Sequence, residues 1–355
     1  MIFAPVKRRH WWHAAVVVVV IAAMAFALRA IGLSLAVFDP LGQAIDQYHF
    51  SDGLFYARNK MTRLPQANPD VVIMDISGCH SRAEIAAVLD KVGSAQPAAV
   101  GLDIIFPDAS SVLPEENDSL IRAISRLPNL VLACNESQGT EEHSFFSENF
   151  VEGNVAMEYD MVRSFHSGDG SFVGELLRKI GRPELMDQTE RMIDFDRVHT
   201  YVYEHDNEIP SREVAGCIVL VGDKQDLRDF HRVPVSVNGN LRLSGVELLA
   251  QELYTVLCGK RFRECSFGLT MCLCILLTYL FCALVVCPLH DAKKPFNSLV
   301  CSLGLFFLVI LLTFLEYWVF FSLNIYWSPV WLFVGTGLAG LSAEVFYWII
   351  NRVEQ

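Results

Sequence analysis

The sequence predicts an α/β domain, with a mostly parallel sheet flanked by helices, inserted between one N-terminal and three C-terminal transmembrane helices. Three observations lead to this prediction: long apolar stretches towards both ends, an acidic middle region, and alternating strand-like and helix-like patterns within that region. The 355 residues are 52% hydrophobic and have a mean hydropathy of +0.34. The chain is therefore more apolar than an ordinary soluble domain and more polar than a protein made only of membrane spans.

Four apolar stretches are long enough to cross a bilayer, which needs roughly 20 apolar residues. The first span has an alternative, a cleaved signal peptide, because Ala25-Phe26-Ala27 has the small-x-small form of a cleavage site. We expect an uncleaved anchor, since the apolar stretch continues beyond that site. The predicted organisation is a cytoplasmic N-terminus at 1–13, a first span at 14–38, an extracytoplasmic domain at 39–264, further spans at 266–287, 297–321 and 327–350, and a cytoplasmic tail at 351–355.

The orientation follows from the positive charges near the N-terminus. Lys7, Arg8 and Arg9 predict a cytoplasmic N-terminus by the positive-inside rule. Four spans then return the C-terminus to the cytoplasm, so the middle domain is predicted to be extracytoplasmic.

The last two spans carry small and acidic residues. Gly335, Gly337 and Gly340 allow close helix packing, either within the chain or between copies in a homo-oligomer. Glu316 lies near one end of its span, so we expect its carboxylate to reach interfacial water.

The middle region is acidic. Residues 39–264 hold 36 acidic and 21 basic side chains, a local balance of −15. With no basic face to neutralise phosphates, nucleic acid is excluded as a partner. The chain contains no phosphate-binding loop, no His-Glu-x-x-His motif and no nucleophile elbow, so we expect neither an enzyme nor a cofactor or metal site. The histidines of this region, His143 among them, are expected to be solvated loop residues.

Short apolar runs alternate with amphipathic helical stretches in the middle region. Continuously apolar strands in such an alternation predict a parallel sheet covered by helices. The predicted strands are 71–76, 98–106, 130–134 and 217–221, and the predicted helices are 84–92, 119–127 and 246–257.

Three aspartates lie where predicted strands end. Asp75 and Asp103 come near the ends of two consecutive strands, and Asp223 follows a third. Ligands bind outside the carboxyl ends of strands in such sheets, so this acidic rim suggests a cation, an amine or a hydrogen-bonding ligand. The alternative is that each aspartate caps a turn or the next helix.

Several segments of the middle region also match the pattern of a known family. They are 50–58 (FSDGLFYAR), 71–76 (VVIMDI), 99–106 (AVGLDIIF), 152–155 (EGNV) followed by Asp160 and Val162-Arg163, 218–222 (IVLVG) and 244–250 (SGVELLA). In their order, and with the flanking spans, they resemble the CHASE2 domain, the extracytoplasmic sensory module of bacterial membrane receptors, over about residues 46–262.

The resemblance implies a multi-pass protein of the bacterial cytoplasmic (inner) membrane whose large domain is extracytoplasmic. Arg82 and Arg163 match positions of arginines in the family pattern, although the segment 77–82 lacks the aromatic and proline residues that often precede the first of them. The candidate ligand-binding residues are therefore Asp75, Arg82, Asp103, Arg163 and Asp223.

Two functions remain open on the sequence. The first is a sensory or regulatory membrane subunit, whose domain detects an unknown small ligand or a partner and signals through its helices. The chain ends five residues after its last predicted span, so we expect the output to come from a separate effector protein, such as a kinase or cyclase. The second is a structural or anchoring subunit of a cell-envelope complex, without a small-molecule ligand. The lipid bilayer is a partner in both.

Overall fold

The computed structural model describes residues 6–32, 50–61, 66–107, 112–137, 139–157, 161–196, 198–207, 209–237, 239–259, 261–291, 297–327 and 330–353. The chain divides into two compact units. We call them the helical unit (Met1–Leu54 and Arg263–Gln355) and the sheet unit (Phe55–Phe262).

The helices are α1 (Arg8–Gly32), α2 (Phe50–Met61), α3 (Arg82–Ser94), α4 (Pro114–Ser125), α5 (Phe172–Lys179), α6 (Ser211–Val214), α7 (Gly245–Leu257), α8 (Phe267–Asp291), α9 (Asn297–Leu323) and α10 (Val330–Val353). The strands are β1 (Gln66–Asp75), β2 (Ala99–Asp103), β3 (Leu130–Ser137), β4 (Thr140–Glu142), β5 (Glu152–Asn154), β6 (Ser164–Phe165), β7 (Arg191–Met192), β8 (Val198–Glu204), β9 (Ile218–Gly222), β10 (Phe230–Val237), β11 (Asn240–Ser244), β12 (Arg263–Glu264) and β13 (Ile325–Tyr326).

The helical unit contains the predicted membrane helices. Within the part of the chain that the structure describes, α1, α8, α9 and α10 are long and apolar enough to cross a membrane. The stretch 33–49, which holds the predicted end of the first span and the predicted start of the domain, lies outside the described residues.

Polar contacts define the two ends of the helical unit. Arg9, at the start of α1, forms an ion pair with Asp291, at the end of α8. At the other end, β12 pairs with β13, which brings the start of α8 next to the connection between α9 and α10. The start of α1 and the end of α8 therefore lie at one end of the unit, and the start of α8 and the α9–α10 connection lie at the other.

The sheet unit is built on one central sheet of mixed but mostly parallel strands. Its order is β4-β3-β2-β9-β1-β8, with β5 also paired to β3. The β3–β4 pair is antiparallel and the other pairs of this sheet are parallel. The predicted fold class is thereby confirmed.

Helices cover both faces of this sheet. Alternate strand residues such as Val72, Leu102 and Val219 pack with α3 and α4 in one hydrophobic core. Helices α5 and α7 lie on the opposite face, where α7 packs on β1 and β9 and α5 packs on β2, β3 and β5. The start of α5 lies very close to β5, so that a Cβ added to Gly153 would come within 2.4 Å of the Phe172 Cα.

Several described elements, among them α2, α5 and the β10–β11 hairpin, were not predicted from the sequence, and two of the differences have a clear physical reason. Strand β8 was not predicted, because it is an edge strand in which only Val198 is buried, so it lacks a continuous apolar run. Helix α4 begins at Pro114 rather than at residue 119, since proline suits the first helical position and Glu115 and Glu116 favour the positive N-terminal end of the helix.

Candidate functional site

The sheet brings the predicted rim aspartates together. Asp75 on β1 and Asp103 on β2 are both in register with Gly222 on β9, which lies between them. Two strand spacings separate them, so their Cα atoms are about 10 Å apart. Asp223 follows directly on β9, and all three residues lie at the same edge of the sheet.

Two of these aspartates stabilise local backbone structure. The Asp75 Oδ1 accepts hydrogen bonds from the backbone N–H groups of Ser77 (3.0 Å) and Lys224 (3.2 Å). The Asp223 Oδ1 accepts from the N–H groups of Gln225 (2.7 Å) and Asp226 (3.1 Å). Both side chains organise the loops after their strands, as in the capping alternative.

Arg82 connects three segments around the rim. Its guanidinium donates to the Pro107 carbonyl oxygen at 2.6 Å and to the side chain of Asn117, and it stacks 5.1 Å from the Phe145 ring centroid. The side chain is nearly buried, with 9% of the residue exposed. These contacts give Arg82 a structural role in holding the loop after β2 against α4.

Arg163 lies beside a cavity. It is located between Val162 and Ser164, which both line that cavity, and its carbonyl oxygen accepts a hydrogen bond from the Ile193 N–H at 2.9 Å. Asp160, which the family resemblance also matched, lies outside the described residues.

Asp103 differs from the other two rim aspartates. Its carboxylate has no hydrogen-bond partner among the described residues, and it lies on the sheet face that α5 and α7 cover. Burial, together with the charge of Asp229, raises the pKa of Asp103 to about 7, against a partial opposing effect of His231. At neutral pH this group is therefore only partly ionised.

A second unpartnered carboxyl group faces Asp103 from α7. Glu252 is only 6% exposed, and its side chain makes no hydrogen bond within the ranges that the structure describes. Burial and the neighbouring Asp103 carboxylate raise the pKa of Glu252 to about 8. A buried carboxyl group without a hydrogen-bond partner costs stability, so its presence calls for an explanation. Shifted pKa values of this kind cluster at functional sites.

Glu252 opens onto a cavity of about 280 Å³ between α5, α7 and the end of β5. The floor is formed by buried residues, among them Phe172 of α5 and Leu249 of α7, while the mouth is polar and exposed. The lining residues are Glu136, Asn154, Val155, Ala156, Met157, Val162, Ser164, Phe165, His166, Ser171, Phe172, Val173, Gln188, Glu190, Leu249 and Glu252.

The electrostatics of the cavity are one-sided. Glu252 lies at its base, and Glu136 and Glu190 lie at its exposed mouth. Among the described residues that line it there is no lysine and no arginine. Carboxylates in a recess with apolar walls attract cations, and Phe165 and Phe172 contribute aromatic side chains to those walls.

Glu252 was not among the residues that we predicted for the site. The sequence did contain an indication that Glu252 would be buried. Helix α7 is apolar over most of its circumference, and such helices are buried on all sides. Every residue from Leu248 to Val256 is buried, so the polar residues within this stretch are buried with the rest. The sequence alone did not show that Glu252 would face Asp103.

The helical unit corrects one expectation. Glu316 on α9 was expected to reach interfacial water, yet its side chain is fully buried, and neither carboxylate oxygen has a hydrogen-bond partner within the described part of the chain. Helix packing places this carboxyl group inside the unit, where polar residues are uncommon and mark functional candidates.

Among the described residues, four apolar helices and a mostly parallel α/β domain with an acidic rim and cavity place this chain in the class of membrane-attached α/β domains. The chain belongs to the CHASE2 domain family, whose model matches residues 15–284. This match confirms the family resemblance seen in the sequence. CHASE2 is a family of extracytoplasmic sensory domains. No curated protein and no solved structure gives a match.

Proposed function

We propose that this protein is a membrane-bound sensory subunit whose CHASE2 domain binds a small organic cation, carrying an ammonium group, in the cavity at Glu252. The observation that carries the proposal is the buried carboxyl group of Glu252, which has no hydrogen-bond partner among the described residues and lines a cavity without any described lysine or arginine in its lining. An ammonium group supplies both the hydrogen-bond donors and the positive charge that this carboxyl group lacks.

Ligand binding of this kind is linked to proton release. A bound ammonium favours the ionised form of Glu252, whose pKa of about 8 keeps it mostly protonated at neutral pH in the free protein. Binding near pH 7 should therefore release up to one proton, and affinity should rise as the pH increases towards 8.

The position of Glu252 suggests a route for the signal. Glu252 lies on α7, and only residues 258–266 separate that helix from α8, a membrane helix. A ligand can shift the helical unit only if it binds one arrangement of the protein more tightly than another. We propose that the change reaches an effector outside these 355 residues, at the cytoplasmic face of a bacterial inner membrane.

Calorimetric titration of the full chain in lipid nanodiscs tests the binding step. The probes are putrescine, ethanolamine and choline, titrated at several pH values in buffers that differ in ionisation enthalpy. We expect at least one probe to bind with proton release, and affinity to fall by about tenfold or more in Glu252→Gln. Glu148→Gln, which changes an exposed carboxylate outside the cavity lining, should bind like the wild type.

The alternative function is a structural or anchoring subunit of an envelope complex. The observation that favours it is that Asp75 and Asp223 hold backbone N–H groups instead of facing a ligand. If no probe binds the wild-type protein, or if binding is unchanged in Glu252→Gln, the sensor proposal is wrong in its ligand class and site, and the structural function becomes the better account.

A signalling role predicts a ligand-dependent partner. When the full chain is cross-linked in native membranes and purified, one defined effector should co-purify with it. The amount of this effector should change when the active probe is added. The same yield should not change in Glu252→Gln. A partner whose yield is indifferent to the probe in the wild type would instead indicate assembly.

A further inference from the structure

A second cluster of chemically reactive side chains lies at the edge of the central sheet. Cys134 on β3, His143 directly after β4 and Glu152 on β5 each offer one ligand atom, and these atoms lie within 4.8 Å of one another. We infer that Cys134, His143 and Glu152 form a binding site for a divalent transition-metal ion, for which zinc(II) is the best fit.

The sheet topology creates this cluster from distant positions. β5 lies parallel to β3 with Glu152 in register with Leu132, two residues before Cys134. The antiparallel hairpin of β3 and β4 turns at Gly139, whose φ of +89° favours glycine, and it carries His143 back over β5. The three side chains therefore converge although no metal-binding spacing is visible in the sequence.

The contacts leave ligand capacity unused. The His143 Nδ1 lies 2.7 Å from the Glu152 Oε2, whereas the Glu152 Oε1 is buried without a hydrogen-bond partner among the described residues. The thiol of Cys134 is buried, and it too makes no hydrogen bond within the described ranges. A buried carboxylate oxygen and a buried thiol, both unpartnered and adjacent, are what a metal ion would satisfy.

The donor set selects the class of ion. A thiolate, an imidazole nitrogen and a carboxylate oxygen are zinc ligands, with bond lengths of about 2.0 to 2.3 Å. A tetrahedral ion would hold these donors about 3.3 Å or more apart, so the 2.7 Å between the His143 Nδ1 and the Glu152 Oε2 would have to widen by about 0.6 Å. Calcium and magnesium prefer oxygen ligands only, which argues against them here.

Neighbouring carboxylates support a bound cation. Glu136 lies 3.9 Å from the His143 Nε2, which is beyond hydrogen-bond distance but close enough for its negative charge to favour a bound cation. Zinc(II) binds the thiolate form of cysteine, so metal binding should release the Cys134 proton and weaken as the pH falls.

Titration of the metal-free full chain in nanodiscs with cobalt(II), a spectroscopic substitute for zinc(II), tests the site. We expect one equivalent to bind with the visible bands of tetrahedral cobalt and a thiolate-to-cobalt charge-transfer band, and zinc(II) to displace it. Cys134→Ser should remove the charge-transfer band. His143→Gln, at an exposed position where folding is not at risk, should lower the affinity by about 100-fold or more.

A matched control separates this site from the other thiols. Cys217 is also a buried thiol of the sheet unit, and its sulfur donates to the Pro69 carbonyl oxygen at 3.3 Å, outside the cluster. Cys217→Ser should keep both sets of bands. If the wild type binds no stoichiometric cobalt, or if the bands persist in both Cys134→Ser and His143→Gln, the inference is overturned. Neither result bears on amine binding at Glu252, which is measured independently.

Discussion

Replacing Glu252 by glutamine should change how the stability of the protein depends on pH. Glutamine has the shape of the protonated acid and cannot ionise. Burial and Asp103 raise the pKa of Glu252 from 4.5 to about 8, so the folded state holds a proton that the unfolded state has already released. The free energy of unfolding of the wild type should therefore decrease as the pH rises from about 4.5, through about 8, and then level off.

The size of the effect follows from the raised pKa. At 1.36 kcal/mol per pH unit, an ionised Glu252 destabilises the folded state by about 5 kcal/mol at most. Most of the decrease, about 3 kcal/mol, falls between about pH 5 and about pH 8. A domain of this size changes its Tm by about 2 to 4 °C per kcal/mol, so the Tm of Glu252→Gln relative to the wild type should rise by about 6 to 12 °C over that interval.

The assay has to report on the sheet unit. All six tryptophans (Trp11, Trp12, Trp318, Trp327, Trp331 and Trp348) lie in the helical unit, so tryptophan fluorescence does not follow the unfolding of this domain. The reaction of the buried thiols Cys134 and Cys217 with a fluorogenic reagent follows the unfolding of the sheet unit, because these thiols become accessible when the domain unfolds. The full chain in nanodiscs is heated at each pH, in the absence of amines and metal ions.

The result is interpreted against Glu148→Gln, which removes an exposed carboxylate. In that variant the difference in Tm from the wild type should not depend on pH. Part of the pH dependence will persist in Glu252→Gln, because burial also raises the pKa of Asp103, to about 7. A Tm difference for Glu252→Gln that is flat between about pH 5 and about pH 8 would refute the assignment of a buried protonated carboxyl group at this position.

Two further predictions concern the stability of the sheet unit. Arg58→Met should lower the free energy of unfolding by about 3 to 5 kcal/mol, because it removes an ion-pair partner of the fully buried Asp194. Adding Asp194→Asn should recover part of that loss in denaturant titrations. Gly153→Ala should cost about 1 to 3 kcal/mol, measured in the same way, because its new Cβ would meet the backbone of Phe172. Gly268→Ala, at a glycine of α8 in the helical unit where nothing lies within 4 Å, should leave the stability of the sheet unit nearly unchanged, and equal losses at both glycines would contradict this reasoning.

The fold class could be predicted from the sequence because it depends on the hydrophobicity of residues that are close together in the chain. The family could be predicted because several short segments occur in the family's order. The apolar stretches give the four membrane helices, and the continuously apolar strands such as Ile218–Gly222 give a buried parallel sheet. Edge strands carry a weaker signal, since one or both faces meet solvent. This is why β8 was missed while β9 was found.

The position of each strand in the sheet was decided only by the tertiary structure. The strand that follows β8 in the chain inserts between β1 and β2, and this insertion sets Asp75 and Asp103 on either side of Gly222. Sequence order correctly placed these carboxylates at one edge of the sheet. It could not show that Asp75 would hold two backbone N–H groups and that Asp103 would have no described hydrogen-bond partner.

What the sequence determined by itself is the segment type: membrane helices, strands, amphipathic helices and an acidic middle, each fixed by the hydrophobicity and charge of neighbouring residues. What the tertiary structure decided is which distant side chains meet. Glu252 and Asp103 are far apart in the chain, and so are Cys134 and Glu152, yet each pair is brought together by strand order and helix packing. The environment of a carboxyl group or a thiol, and hence its pKa and its capacity to bind a cation, depends on those neighbours, which local sequence does not encode.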